Sequence, residues 1–261
     1  MSRSLKSFLY GTLKCKYIYY IFIGLLILPF FTIFINQINE VKPQRVYEII
    51  SHMEYSPLFA FPFMGMSFAL ILAVTMDFDN KTAYYELTGG NSRKAVFLSR
   101  IIPAMIFGIV GSFILYFVPY LAASFVWGFG NSTELTGTLV RLGLAVLIMM
   151  RQSAFLCLAC FCTRKLVNGI SALGVSAVVY IISEAVGFKE STLSATTNLF
   201  RLTTFDTESV YNISQKGIIA KSVCIAMPDT SFIVKTIIMS VLFTAFYLFL
   251  AWRFFKADDI Q

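Results

Sequence analysis

Six apolar stretches, at about 17–36, 57–76, 101–126, 139–162, 167–186 and 234–254, dominate this sequence. Each is long enough for a helix to cross the hydrocarbon of a bilayer, which takes roughly 20 apolar residues. Composition agrees: 57% of the residues are hydrophobic and 13% are charged, about half the charged share of an ordinary soluble domain. A soluble fold with that balance would expose large apolar patches and associate through them. The pattern predicts an all-α integral membrane protein with six transmembrane helices in one domain, residues 1–261. Ser56-Pro57 supplies a cap and a first-turn proline for the second helix. Pro119 predicts a kink in the third.

The net charge of +7 belongs to topology rather than to nucleic acid. With the N-terminus inside, the inner segments hold most of the bases, among them Lys14, Lys16, Arg93, Lys94, Arg164, Lys165 and Lys256, while the two short outer loops hold only Lys42 and Arg45. Lys and Arg concentrate on the cytoplasmic side, so a multi-pass protein of the cell membrane with both termini cytoplasmic is expected. The first apolar run has spanning length and no cleavage site of small residues, which argues against a cleaved leader.

The opening "RSLKSFLYGTLKCK" within 1–16 reads as an amphipathic interface helix. Leu5, Phe8, Leu9 and Leu13 fall on one stripe, with Arg3, Lys6 and Lys14 on the polar side. Such a helix sets its apolar face in the acyl boundary and its bases among anionic headgroups. Residues 187–233 form the largest outer segment; apolar clusters such as "GIIAKSVCIAM" predict short helices packed on the membrane surface.

Several chemistries lack their residues. "GGNSRK" does not have the spacing of a phosphate-binding loop, so no ATP site of that kind is expected on this chain. The single histidine, His52, falls in an outer loop and excludes two-histidine metalloprotease motifs. Cys157, Cys160 and Cys162 are read as buried thiols: the first two are helical neighbours, and Cys162 points away from both. No metal site and no catalytic residue are assigned, and the spans carry no paired acids or Ser–Lys dyad for an intramembrane enzyme.

Residues 77–100, "DFDNKTAYYELTGGNSRKAVFLSR", form a patterned polar loop on the inner side. They resemble the cytoplasmic loop of type-2 ABC exporter permeases. In that family an acid ends the second span, a short helix follows, and a stretch like I-x-L-S-K enters the third. Lys81-Thr82-Ala83 stands where the family often has Gly-Thr-Ile. Leu87 to Arg93 matches the second half of the motif, Val96 to Arg100 the run into the next span, and "WRFFKADDI" the usual ending. The layout of the whole chain is similar too, with the subtype resembling lantibiotic-protection and peptide-export permeases.

The resemblance implies that the loop is a coupling helix, between spans two and three, that docks into a separate ATPase subunit. Thr82, Tyr84, Tyr85, Glu86, Gly89, Gly90, Ser92 and Arg93 are the residues it assigns to coupling. Tyr side chains suit anchoring in a protein groove, and Gly89 and Gly90 would end the short helix through positive φ. The implied assembly joins two permease chains, identical or paralogous, to an ATPase dimer in the bilayer. ATP and Mg would be bound by the ATPase, and no cofactor by this chain. The implied function is export of an amphiphilic substrate such as an antimicrobial or bacteriocin-like peptide. Ions, drugs or a glycolipid are alternative substrates, and a non-transport receptor or structural role is an alternative of another class.

Two features inside the spans complete the expectations. Gly169, Ala172 and Ser176 put small residues on one face of the fifth span, where helices approach closely in lipid; they are assigned to a dimer interface, with packing inside one subunit as the alternative. Arg151, Gln152 and Ser153 place a charge and two polar groups mid-span, at an insertion cost of about 2.5–3.5 kcal/mol for the Arg. They are either a structural anchor or part of a transport path. Glu184 lies roughly 15 Å from Arg151 in depth at 1.5 Å per residue, too far for a direct pair without strong tilt.

Overall fold

Ser2–Lys14 winds into α1, in keeping with its apolar periodicity. Cys15 interrupts the helix: its N–H bonds to the Thr12 carbonyl at 3.2 Å, and its own carbonyl accepts from Ile18 N–H at 3.2 Å. These three-residue links are a tight 3₁₀-like join, after which α2 runs over 16–25. The computed structural model describes residues 2–25, 27, 57–118, 121, 124–125, 132–186, 195, 198–199, 202, 206–214, 217–225 and 227–257. The outer part of the first expected span, both short outer-loop bases, His52, Ser56 and Pro119 lie outside the described residues.

Among the described residues, further helices are α3 (Pro57–Asp79), α4 (Thr82–Thr88), α5 (Arg93–Ser112), α6 (Ser132–Thr163), α7 (Leu166–Ala185) and α8 (Thr230–Ala257). Pro57 does open α3. A five-residue π turn, Phe113–Phe117, extends α5. Among the described residues, three helical stretches are long and apolar enough to cross a membrane: Arg93–Gly111, Leu139–Thr163 and Thr230–Lys256. Leu166–Ile182 is a shorter apolar helix. The outward surface fits a membrane protein, since α8 leaves Leu242 and Phe249 each 60% exposed and α7 leaves Val175 56% exposed.

The segment expected to hold only short helices contains a β-hairpin instead. Asp206–Ser214 (β1) pairs antiparallel with Gly217–Ile225 (β2), in register from Asp206 opposite Ile225 to Ser214 opposite Gly217. The physical reason is β-branching: Val210, Ile213, Ile218, Ile219, Val223 and Ile225 lose rotamer freedom in a helix and pack well on a pleated surface. Ahead of the hairpin, positions 195, 198, 199 and 202 are helical. Leu199 and Leu202 are completely buried there, and Asn198 Oδ1 accepts from Thr236 Oγ1 of α8 at 3.2 Å.

α6 is the hub, packed against α3, α5, α7 and α8. At one end of the bundle Phe161 of α6 meets Phe97 of α5 (ring centroids 5.2 Å apart), Phe255 of α8 (5.6 Å) and Phe78 of α3 (5.4 Å). Cys157 and Cys160 are wholly buried in this same core. α5 approaches α6 through glycine. A Cβ on Gly108 would stand 2.6 Å from Ser153 Oγ and 3.1 Å from the Met149 carbonyl oxygen, and one on Gly111 would stand 3.1 Å from Met149 Cε.

Candidate functional site: the α3–α4–α5 junction

The short helix α4 is defined at both ends by its sequence. At its C-terminus Gly90 N–H bonds to the Leu87 carbonyl (3.1 Å) and Asn91 N–H to the Glu86 carbonyl (3.1 Å). These two bonds make a Schellman motif. Gly90 is the residue with positive φ, at 87°. Gly89 was expected to share that role and does not: its φ is −75°, because it is the residue before the reversal. The Thr88 hydroxyl also turns back, donating to the Tyr84 and Tyr85 carbonyls at 3.2 and 3.1 Å. At the other end Lys81 precedes the helix with φ 55° and ψ 20°. That left-handed conformation favours glycine, and lysine occupies it.

Ser92 caps α5: its Oγ accepts from Ala95 N–H at 3.2 Å. Arg93 reaches the far end of the chain, donating from Nη1 to the Lys256 carbonyl at 2.7 Å. That satisfies one of the carbonyls left open in the last turn of α8. These two residues, expected to meet an ATPase, therefore hold the ends of α5 and α8.

Arg100 sits at the centre and is fully buried. Its Nε donates to Asp77 Oδ2 at 2.8 Å and its Nη2 to Asp77 Oδ1 at 3.2 Å. Its Nη1 donates to Glu86 Oε2 at 2.5 Å and also lies within bonding distance of Ser99 Oγ and the Val96 carbonyl. One guanidinium thus ties the end of α3 to α5 by a fork and the middle of α4 to α5 by a further bond. Burial raises the Asp77 carboxyl above its ordinary value, and the Arg100 charge offsets part of that rise. With Glu86 turned inward and Ala83 buried, α4 presents its other side: Tyr85 is 65% exposed and Tyr84 37%. Their rings touch edge to face, with centroids 5.8 Å apart. Thr82 is half-buried and lines a small cavity at the same junction.

Sequence reasoning placed Glu86 on the docking surface and had no role for the Arg100–Asp77 fork. The signal was present: an acid at the end of one helix and a base near the start of the next face each other when a short loop returns the chain.

Deeper in the bundle, Arg151, Gln152 and Ser153 are all buried and turn to three different helices. Arg151 lies over the Phe243 ring of α8, 4.6 Å from its centroid. Gln152 Nε2 donates to Ser176 Oγ of α7 at 3.1 Å. Ser153 Oγ donates to the Met149 carbonyl at 2.7 Å and faces Gly108 of α5. Successive helical positions are about 100° apart, so three in a row reach three neighbours only on a helix that is surrounded. The small face of α7 is likewise turned inward. Ser176 bonds to Gln152, Ala172 packs against the aromatic core, and a Cβ on Gly169 would stand 2.5 Å from Ile71 Cγ2 of α3.

Arg141 is a further buried charge in α6; its Nη1 donates to the Leu202 carbonyl. Among the described residues no group of three or more His, Cys, Asp or Glu side chains is arranged to hold a metal. No family model, curated protein or solved structure matches this chain.

Proposed function

We propose that this chain is the permease subunit of an ATP-driven exporter for an amphiphilic substrate, with α4 docking a separate ATPase subunit. The observation that carries the proposal is the asymmetry of α4. One side is bolted to the membrane helices through Glu86 and Ala83, and the opposite side offers Tyr84 and Tyr85 to solvent. A short helix held rigidly on one side, with exposed aromatics on the other, is suited to transmit force from a bound partner. Exposed aromatic anchors are the side chains that dominate protein interfaces. In this proposal six spans carry the fold, α1 lies in the membrane interface, and both termini are cytoplasmic. ATP and Mg belong to the partner.

The inward turn of Gly169, Ala172 and Ser176 shifts the surface available to a second permease chain toward Val175, Val178 and Val179 of α7, which are exposed. Cysteines at 175 and 178 that crosslink between chains would support that assignment, and failure to crosslink in the assembled complex would leave that face to lipid.

Affinity purification of the tagged chain from its native membrane tests the central proposal. An ABC ATPase is expected to be recovered with it. Tyr85→Ala is expected to reduce recovery at least about tenfold, the effect of losing an interface anchor worth more than about 1.4 kcal/mol, while the melting temperature is unchanged. Recovery of the chain without any ATPase, or undiminished recovery with Tyr84→Ala and Tyr85→Ala combined, would overturn it.

A further inference from the structure

We infer, resting on the docking role given to α4 above, that the protein surface which receives α4 is acidic, with an apolar slot for Tyr85. In sequence the segment 77–100 is nearly balanced, with the acids Asp77, Asp79 and Glu86 and the bases Lys81, Arg93, Lys94 and Arg100. The fold sorts these charges. Asp77, Glu86 and Arg100 close on one another inside the junction, where their side chains are 5, 10 and 0% exposed. Lys81, Arg93 and Lys94 stay exposed, with Asp79 as the exposed acid of the segment. Lys256 joins these bases, because Arg93 Nη1 donates to its carbonyl at 2.7 Å, and it too is exposed.

The bases bracket the aromatic pair. Tyr85 N–H bonds to the Lys81 carbonyl at 3.0 Å, so the two residues lie one helical turn apart along the same side of α4. Beyond the reversal at Gly90, Arg93 and Lys94 open α5, and the positive end of that helix adds to their potential. An aromatic anchor within a charged rim divides the work of binding. The anchor holds the complex together, while the rim governs the rate of encounter and its salt dependence. A basic surface would be repelled by this rim, and an acidic one is steered to it. An anionic lipid surface would attract the same bases. It offers no fitted slot, however, for two rings locked edge to face on a rigidly mounted helix, and preorganised side chains gain affinity against a fitted surface.

Association kinetics of the full chain with the ATPase that co-purifies with it test the inference, the chain being held in nanodiscs of phosphatidylcholine so that no lipid charge contributes. The association rate is expected to fall at least about tenfold between about 50 mM and about 500 mM salt, as screening removes the steering. Lys81→Glu combined with Lys94→Glu is expected to slow association roughly tenfold at low salt and to leave dissociation within about twofold, whereas Tyr85→Ala acts on dissociation. Melting curves establish that the variants fold, and Lys81→Gln with Lys94→Gln replaces the reversal if it does not. A zero-length carbodiimide, which joins a lysine amine to a carboxylate, is expected to link Lys81 or Lys94 to an Asp or Glu of the ATPase. Association indifferent to salt and to both double variants would overturn the inference and leave the docking role standing, whereas recovery of no ATPase would remove both. Faster association of the reversed variant would overturn it by assigning a basic partner. Salt dependence seen only in nanodiscs containing phosphatidylglycerol would overturn it by assigning the bases to the membrane surface.

Discussion

Arg100 and Asp77 are joined by two parallel hydrogen bonds, 2.8 and 3.2 Å long, although 23 residues separate them in the chain. The pair closes the polar loop into a hairpin of helices, and α4 is carried on it through Glu86. Removing Asp77 takes the forked partner from a buried guanidinium and leaves Glu86 alone to compensate it. Asp77→Ala is therefore expected to cost ~3–5 kcal/mol, read as a lowered melting temperature in detergent. Glu86→Gln, which keeps an acceptor for Arg100, is expected to cost less than half as much. Equal effects of the two substitutions would contradict the central place of the fork.

The same pair has a pH signature. Because burial raises the Asp77 carboxyl, the folded chain takes up that proton before the unfolded chain does. The contribution of this group to stability is then greatest near and below the ordinary value of 3.8, falls as pH rises toward the raised value, and is flat above it. Asp77→Asn is expected to remove that downward slope above pH 3.8 from a plot of melting temperature against pH.

Lys81 occupies a backbone conformation that glycine adopts freely, with φ 55°. Lys81→Gly relieves that conformation, at some cost in unfolded-chain entropy. The expected outcome is a net stabilisation of up to about 1 kcal/mol without change in the exposure of Tyr85. A destabilised variant would show that the Lys81 side chain contributes more than its backbone costs.

The approach of α5 to α6 depends on Gly108. Gly108→Ala places a methyl 2.6 Å from Ser153 Oγ and 3.1 Å from a backbone oxygen, and overpacking of this kind typically costs about 1–3 kcal/mol. Gly174 offers the opposite case, since a Cβ there meets nothing within 4 Å. Gly174→Ala on the exposed side of α7 is expected to stabilise the helix by roughly 0.5–1 kcal/mol. Thermal denaturation of the two variants side by side checks both signs.

Arg151 and Phe243 give a coupling that a double-mutant cycle can isolate. With Arg151→Met, Phe243→Leu and the double variant, a coupling of about 0.5–2 kcal/mol is expected for a desolvated cation over a ring. A coupling near zero would mean that Arg151 is held by its other contacts and not by the α8 aromatic.

The sequence alone determined that this chain is built from membrane-length helices, since a run of some 20 apolar residues carries its solvent preference locally. It determined α1, from the spacing of its apolar stripe. It also determined the helix stop at Gly90, because a turn is written in the few residues that make it, whereas the cap at Ser92 emerged from the structure. Only the tertiary structure decided what each polar group faces. Glu86 turns inward because Arg100, 14 residues later, lies beneath it. The small residues of α7 face the chain's own α3 and α6 because Ile71 and Gln152 occupy that side. The hairpin at 206–225 went unforeseen because its apolar run also suits a helix, and strand pairing is a contact between distant positions that neither strand encodes alone. Helical period says which residues share a face; the partner of that face depends on packing among all the helices, which no single segment contains.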